Sequence, residues 1–372
     1  MTVRRMERRW MIAAAALAAC AVPAGVDARA AKKKTPVYTT VEAARKAGPD
    51  FDIQGEYEGT LGGDARKKIG VQVIALGGGA FQAVFYSGGL PGAGWDGRTK
   101  APVDGRLEGK KAVFAPSKAK KRYLGRSPAE FSAVRNNPAQ GQKNYGATIE
   151  GGKLTGMTDK GEPIEAKRVV RKSPTLGAKP PAGATVLFDG KSRDAFNGGR
   201  LDEKTRLLNT DGKDIRTKAR FSNFTLHLEF MLPYRPSARG QGRANSGLYL
   251  VDHYECQILD SFALEGLNNE CGGFYKKADP KVNMCLPPLQ WQTYDVRFTN
   301  AVRDDKGKKT SNAVATVRHN GVVIHEKLAI SGPTGGSRRA PEGTPGPLRL
   351  QGHGNPLQFR NIWIVEKKGL SD

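Results

Sequence analysis

The sequence predicts an all-β protein, with a C-terminal jelly-roll β-sandwich preceded by a smaller β-rich domain. Two observations carry this reading. Short runs of period-2 alternation recur along the chain between turn residues, and no helical period is sustained. The 46 Gly and 22 Pro among 372 residues supply turns at a density that suits short strands better than helix bundles. Mean hydropathy of −0.51 fits a soluble chain with many loops. After residue 30 no apolar run approaches the ~20 residues that a membrane span requires, so no transmembrane segment is expected.

Residues 1–30 read as an export signal. Arg4, Arg5, Arg8 and Arg9 form a basic start, Trp10 to Val22 an apolar stretch, and Ala28-Arg29-Ala30 a cleavage site. Cleavage there gives a mature chain beginning at Ala31. Leu17-Ala18-Ala19-Cys20 also fits a bacterial lipobox, with Cys20 as the lipidated residue. Either route carries the protein out of the cytoplasm, to the periplasm or beyond. The formal net charge of +24 favours anionic partners such as an acidic polysaccharide or the envelope surface. The basic residues are spread through loops without interleaved aromatics, which with export argues against nucleic acid.

Residues 31–50 form a tether, with a short helical run from Val41 to Ala47. Residues 51–172 form the β-rich accessory domain, a small sandwich or barrel. Ile69 to Leu76 and Ala80 to Tyr86 alternate on either side of Gly77-Gly78-Gly79 and predict a hairpin. Lys111 to Ala115 and Ala147 to Met157 supply more short strands. Trp95, in a glycine-rich loop, is either a structural ring or a platform for a sugar. Residues 173–184 (SPTLGAKPPAGA) are a Pro/Gly linker, and the sandwich fills 185–368.

Within the sandwich, Phe224 to Phe230 alternates, with Leu226, Leu228 and Phe230 inward and Thr225, His227 and Glu229 outward. Asn320-Gly321 provides two positive-φ positions for a type I′ hairpin turn. The stretch Asn245 to Ser261 (NSGLYLVDHYECQILDS) holds two alternating runs, with Glu255 and Gln257 on one face and Cys256 and Ile258 on the other. Cys256 is therefore expected as a buried free thiol. Cys271 and Cys285 both lie in the loop-rich segment that follows, and a disulfide between them is expected. No cysteine pair has the C-x-x-C spacing of a zinc site.

All five histidines (227, 253, 319, 325 and 353) lie in the sandwich. In LRLQGHGN, Leu348 and Leu350 alternate with Arg349, Gln351 and His353. If this strand and the Glu255 strand share a sheet, one face gathers Glu255, Gln257, Arg349, Gln351 and His353, with Tyr249 beside them. A carboxylate, an imidazole and a guanidinium together can abstract a proton, donate one and hold an oxyanion. Asp260 and Glu270 are further acids nearby, and paired carboxylates would suit glycoside hydrolysis. Glu255, Asp260 and His353 could ligate a divalent metal, but their spacing matches no standard motif, and no cofactor is required.

Seven segments together resemble the 3-keto-disaccharide (3-keto-glycoside) hydrolase domain, a bacterial family. They are LFDGKS at 187–192, NSGLYL at 245–250, YECQILDS at 254–261, ECGGFY at 270–275, PPLQWQTYDVRF at 287–298, VRHNGVVIH at 317–325 and GPLRLQGHGNPLQFRNIWI at 346–364. The resemblance covers about residues 185–366 and implies a concanavalin A-like fold whose concave sheet binds sugar. It implies cleavage of 3-keto-glycosides: loss of the C2 proton, elimination of the C1 aglycone, then hydration. His353 or Glu255 would be the base and Arg349 the enolate stabiliser, with Tyr249, Gln257, Gln351, Asn245 and Asp260 contacting the sugar. Gly352 departs from the acid expected before His353-Gly354-Asn355. A non-catalytic lectin-like module is the alternative, and a two-carboxylate glycosidase a third reading.

Overall fold

The computed structural model describes residues 35–367. The export segment expected over 1–30, with Cys20, lies outside the described residues. Among them helix is confined to Val41–Lys46, Asp50–Ile53 and a 3-10 turn at Gly240–Gly242. None is long and apolar enough to cross a membrane.

Of the ten strands between Gly55 and Val169 eight form an antiparallel meander whose first strand pairs with its last to close a barrel, while Arg122–Tyr123 and Phe131–Ser132 pair with each other outside it. Closure leaves no unpaired sheet edge. The hairpin at Gly77, Gly78 and Gly79 turns through φ of 86°, 64° and 74°, a left-handed run that only glycine adopts cheaply. Val71, Val73, Ala75, Phe81 and Phe85 fill the barrel interior. Ile74, Leu76, Val84 and Tyr86 point the other way and join the core of the second half of the chain. The Asp64–Gly77 strand is thus buried on both faces over residues 69–76, which explains its nearly unbroken apolar run.

The second half is a two-sheet sandwich, with the all-β character that the alternation predicts. One sheet has eight strands. The other has five, in the order Phe196–Asn197, Ile215–Thr217, Arg349–Leu350, Ser246–Leu250 and Tyr254–Ile258. Leu248, Leu250, Cys256 and Ile258 face Leu226, Leu228, Phe230 and Val296 across the core. Asn320 and Gly321 turn at φ of 50° and 82° between Ala313–His319 and Val322–Ile330, as a type I′ turn demands.

Two expectations change. The outward face of Phe224–Met231 is not solvated, for His227 and Glu229 are 0% and 1% exposed. Residues 173–178 lie over it: Gly177 N–H donates to Glu229 Oε1 (2.6 Å), and the Thr175 hydroxyl donates to Asp295 Oδ2 (2.6 Å). The Asp295 carboxylate also holds His227 Nδ1 at 2.6 Å, and the imidazole stacks on Trp363.

The Cys271–Cys285 disulfide is not formed. Cys256, Cys271 and Cys285 are all buried free thiols. The pairing was inferred by setting Cys256 aside, but the core offers the other two sulfurs partners as thiols. Cys271 Sγ meets the Tyr294 hydroxyl at 3.3 Å, and Cys285 S–H reaches the Leu259 carbonyl at 3.5 Å. Thiol titration of the unfolded, unreduced protein should therefore find Cys256, Cys271 and Cys285 all reactive. Recovery of a Cys271–Cys285 peptide pair by non-reducing mapping would restore the bridge.

Candidate active site

The site follows from strand register. Arg349, Tyr249 and Glu255 stand in one row across three neighbouring strands, because Tyr249 pairs with Arg349 on one side and Glu255 on the other. Gly247 and Gln257 form the next same-face pair along that hairpin. Alternation sends this set to the face opposite Leu248, Leu350 and Cys256, as expected.

Loops then wall the face in. A cavity of about 290 Å³ is lined by Asn245, Tyr249, Glu255, Gln257, Gln351 and His353, six of the residues read from the sequence. Gln241, Tyr275, Gly335 and Gly336 complete it. Gln241 sits in the 3-10 turn Gly240–Gly242 and the other three on loops, where no periodicity marks direction. Only Tyr275, inside ECGGFY, belongs to a motif singled out beforehand. The Gly335–Gly336 lip is fastened down: the Tyr249 hydroxyl donates to Gly335 O (2.8 Å) and Arg349 Nη2 donates to Gly336 O (2.7 Å).

Glu255 is 4% exposed. Burial pushes its carboxyl up to about 7, against the smaller pull of the Tyr249 hydroxyl and the Arg349 charge. The carboxylate lies against Gly247, where a Cβ would fall 2.3 Å from Glu255 Oε1. Glycine at 247 is thus a matter of close approach, not of turn geometry. With its amide turned to satisfy its neighbours, Gln257 donates to Ser246 O (2.8 Å) and Glu255 Oε1 (3.0 Å). The Tyr249 hydroxyl is pushed up by burial and by the Glu255 charge, so it stays protonated near neutrality. Asn245 Oδ1 and Gln351 Oε1 are buried and find no hydrogen-bond partner within the described protein.

His353 stands exposed on the cavity wall, while the other four histidines are buried away from it, each at most 4% exposed.

Three expected roles need correction. Arg349 does not line the cavity. Its guanidinium lies 3.6 Å from the centroid of the Tyr249 ring, and salt links hold it there. Its Nε is 2.8 Å from Asp252 Oδ1 and its Nη1 3.5 Å from Asp214 Oδ2. With those partners it supports Tyr249 and cannot turn to an enolate.

Asp260, expected at the sugar, pairs with Arg243 Nε at 2.6 Å under the barrel. The residue falls after the Tyr254–Ile258 strand has ended, so alternation no longer sets its direction. With Asp260 removed, the Glu255–Asp260–His353 metal set does not converge, and among the described residues no group of three or more His, Cys, Asp and Glu is placed to hold a metal ion.

Glu270 is also spoken for. It accepts N–H groups of Gly266 (2.7 Å) and Leu267 (3.0 Å) and the Tyr123 hydroxyl. Gly352 has a steric reason, since a Cβ there would lie 2.0 Å from the Lys213 carbonyl carbon. Its N–H donates to Asp214 Oδ1 (3.1 Å), so a backbone amide meets an acid where the acid itself was expected.

The family described as the 3-keto-alpha-glucoside-1,2-lyase-like domain matches residues 183–365. The sandwich belongs to that family. The lyase-like domain is thus carbohydrate-active, and its span coincides with the two-sheet fold and its cavity. Among solved structures, a candidate glycosyl hydrolase from Parabacteroides distasonis is 30% identical over 50% of this chain and 85% of its own, with a TM-score of 0.44. A second from the same organism is 19% identical over 50% of this chain and 95% of its own, at a TM-score of 0.37. No curated protein matches the sequence.

Proposed function

We propose that the lyase-like domain cleaves 3-keto-glycosides by elimination followed by hydration, and that the protein does so outside the cytoplasm, as its arginine-rich start suggests. One observation carries the chemistry: a single carboxyl, Glu255, sits in a walled cavity with its pKa raised to about 7. A ketone at C3 acidifies the C2 proton, and a base poised near neutrality suits its removal. Glu255 takes that proton. The C2–H electrons form a C1=C2 bond, the C1–O bond breaks, and the aglycone leaves as its oxygen gains a proton. Water then adds across the double bond, making the net result hydrolysis.

His353, on the exposed part of the wall, protonates the leaving oxygen. The carboxamides of Asn245 and Gln351 hold sugar hydroxyls, which would partner their buried oxygens. The remaining N–H groups of these two carboxamides stabilise the enolate, the task that neither Arg349 nor the Tyr249 hydroxyl, held by Gly335 O, can reach. A two-carboxylate glycosidase is disfavoured, since no second Asp or Glu among the described residues lines the cavity.

Incubation with 3-keto-trehalose beside unoxidised trehalose, following products by mass, tests the reading. Release of glucose from the keto sugar alone is expected. Cleavage of both, or binding without cleavage of either, would favour a glycosidase or a lectin respectively. A second expectation concerns the floor. Gly247→Ala pushes the Glu255 side chain aside from its Cγ outward, and the three atoms nearest the added Cβ all belong to that side chain, so folding should survive. A fall in kcat/KM of ~10²-fold with an unchanged Tm is expected, since misplacement by about 1 Å costs that much. Full activity would show that the carboxylate's position is immaterial.

A further inference from the structure

A larger cavity, of about 540 Å³, opens on the seam between barrel and sandwich and shares no lining residue with the Glu255 cavity. Half-buried Trp95 forms one wall. Its indole N–H donates to Thr99 O (2.9 Å), and its ring meets Tyr86 edge-on at 5.3 Å between centroids, which fixes the ring's orientation. Lys100 Nζ lies 5.3 Å from the Trp95 centroid and pairs with Glu265 Oε2 at 2.6 Å, joining the two halves of the chain. The other Glu265 oxygen accepts from Arg135 N–H (2.8 Å). Asn283 is likewise occupied, its amide donating to Ser261 O (2.7 Å) and Leu264 O (3.1 Å).

Three lining side chains remain uncommitted. The Arg98 guanidinium and the carboxamides of Asn136 and Gln140 have no hydrogen bond or ion pair among the described residues. A held aromatic ring, two free carboxamides and a free guanidinium therefore face one space of ligand size.

We propose that this cavity is a second carbohydrate site, one that takes a sugar carrying a carboxylate. The indole face suits the apolar C–H face of a pyranose. Each carboxamide offers a donor and an acceptor, the pairing that a sugar hydroxyl requires. The guanidinium fork matches a carboxylate in two parallel hydrogen bonds, which a neutral sugar cannot supply. The net charge of +24 raises the local concentration of such anions. The site does not depend on the chemistry assigned to Glu255, and its occupant need not be the substrate.

Calorimetric titration of the full chain with short oligogalacturonates, and with their methyl esters, tests this. The acid should bind, and the ester ~10-fold or more weakly. Arg98→Ala should weaken binding of the acid by ~10-fold or more while leaving binding of the ester unchanged. Trp95→Ala should weaken both. If losing the Tyr86 contact unfolds that variant, Gln140→Ala, on an exposed loop, replaces it. Glu255→Gln should bind the acid as the parent does. Absence of binding would overturn the proposal. So would equal affinity for acid and ester, or full binding by Arg98→Ala, which would mark diffuse attraction to a basic surface. Loss confined to Glu255→Gln would move the ligand to the other cavity and equally overturn it.

Discussion

Glu255→Gln is expected to cost at least ~10² in kcat/KM on a 3-keto-glycoside while making the folded protein more stable above neutral pH. The first effect follows from removing a base held in contact range of the substrate. The second follows from linkage. The folded carboxyl titrates at about 7, whereas an unfolded glutamate titrates near ~4.3. The native state therefore binds the proton more tightly. Its contribution is fully present below pH ~4 and is lost as pH rises through about 7, a difference of ~4 kcal/mol for a shift of this size. Gln carries no charge to bury. The variant should melt several degrees above the parent at pH 8 and close to it at pH 4. In the parent, kcat/KM should rise with pH through a limb near 7, far above the usual carboxylate range. His353→Asn should also lose activity, and the double variant should lose much less than the product of the two, since groups acting as a unit are non-additive. An unchanged melting difference between pH 4 and 8 would show that the carboxyl is not perturbed. Full activity in both folded variants would end the catalytic reading.

Arg243→Met should be the most destabilising of the changes considered, by about 3–5 kcal/mol. Arg243 and Asp260 are buried together, side chains 6% and 1% exposed, with Nε 2.6 Å from the carboxylate. Removing one member leaves the other charged and unpaired in a medium that solvates it poorly. Arg243 also donates through Nη1 to Ala75 O of the barrel and to Pro236 O, each at 3.2 Å, so the loss reaches across the seam. Combining Arg243→Met with Asp260→Leu should recover much of the loss, because an apolar pair of similar volume replaces the buried ions. Urea unfolding of the three variants checks this. A single-variant loss under about 1 kcal/mol would mean that water reaches Asp260.

The row of site residues was legible because it lies on regular strands. Once Leu248 and Cys256 are assigned to the core, Tyr249, Glu255 and Gln257 must face away. Gln351 and His353 reach the cavity from the loop after the Arg349–Leu350 strand, where alternation no longer sets direction. Alternation fixes a side, however, and not a destination. Arg349 is on the correct side, yet Asp252 and Asp214 draw its guanidinium from the cavity, and both acids lie outside its strand. Asp260 failed for another reason, since it follows the strand's last residue. The cysteines failed because sequence can say which thiols remain but not whether their sulfurs approach as a bond or as packed neighbours. Gln241, Gly335 and Gly336 were missed because loop residues reach a site by closure of the chain. Barrel closure was likewise out of reach, since pairing of the first strand with the last has no local signature.

The strand with two buried faces bears on how freely this catalytic fold could be exchanged among proteins. A sandwich cut free at residue 183 would present water with the apolar surface that Ile74, Leu76, Val84 and Tyr86 now cover. Such a fragment would favour self-association over a monomeric life. Barrel and sandwich are in that sense one heritable unit. A recombination event joining this sandwich to a different leading domain would have to rebuild the seam, Ala75 carbonyl included, before the cavity around Glu255 had a stable frame.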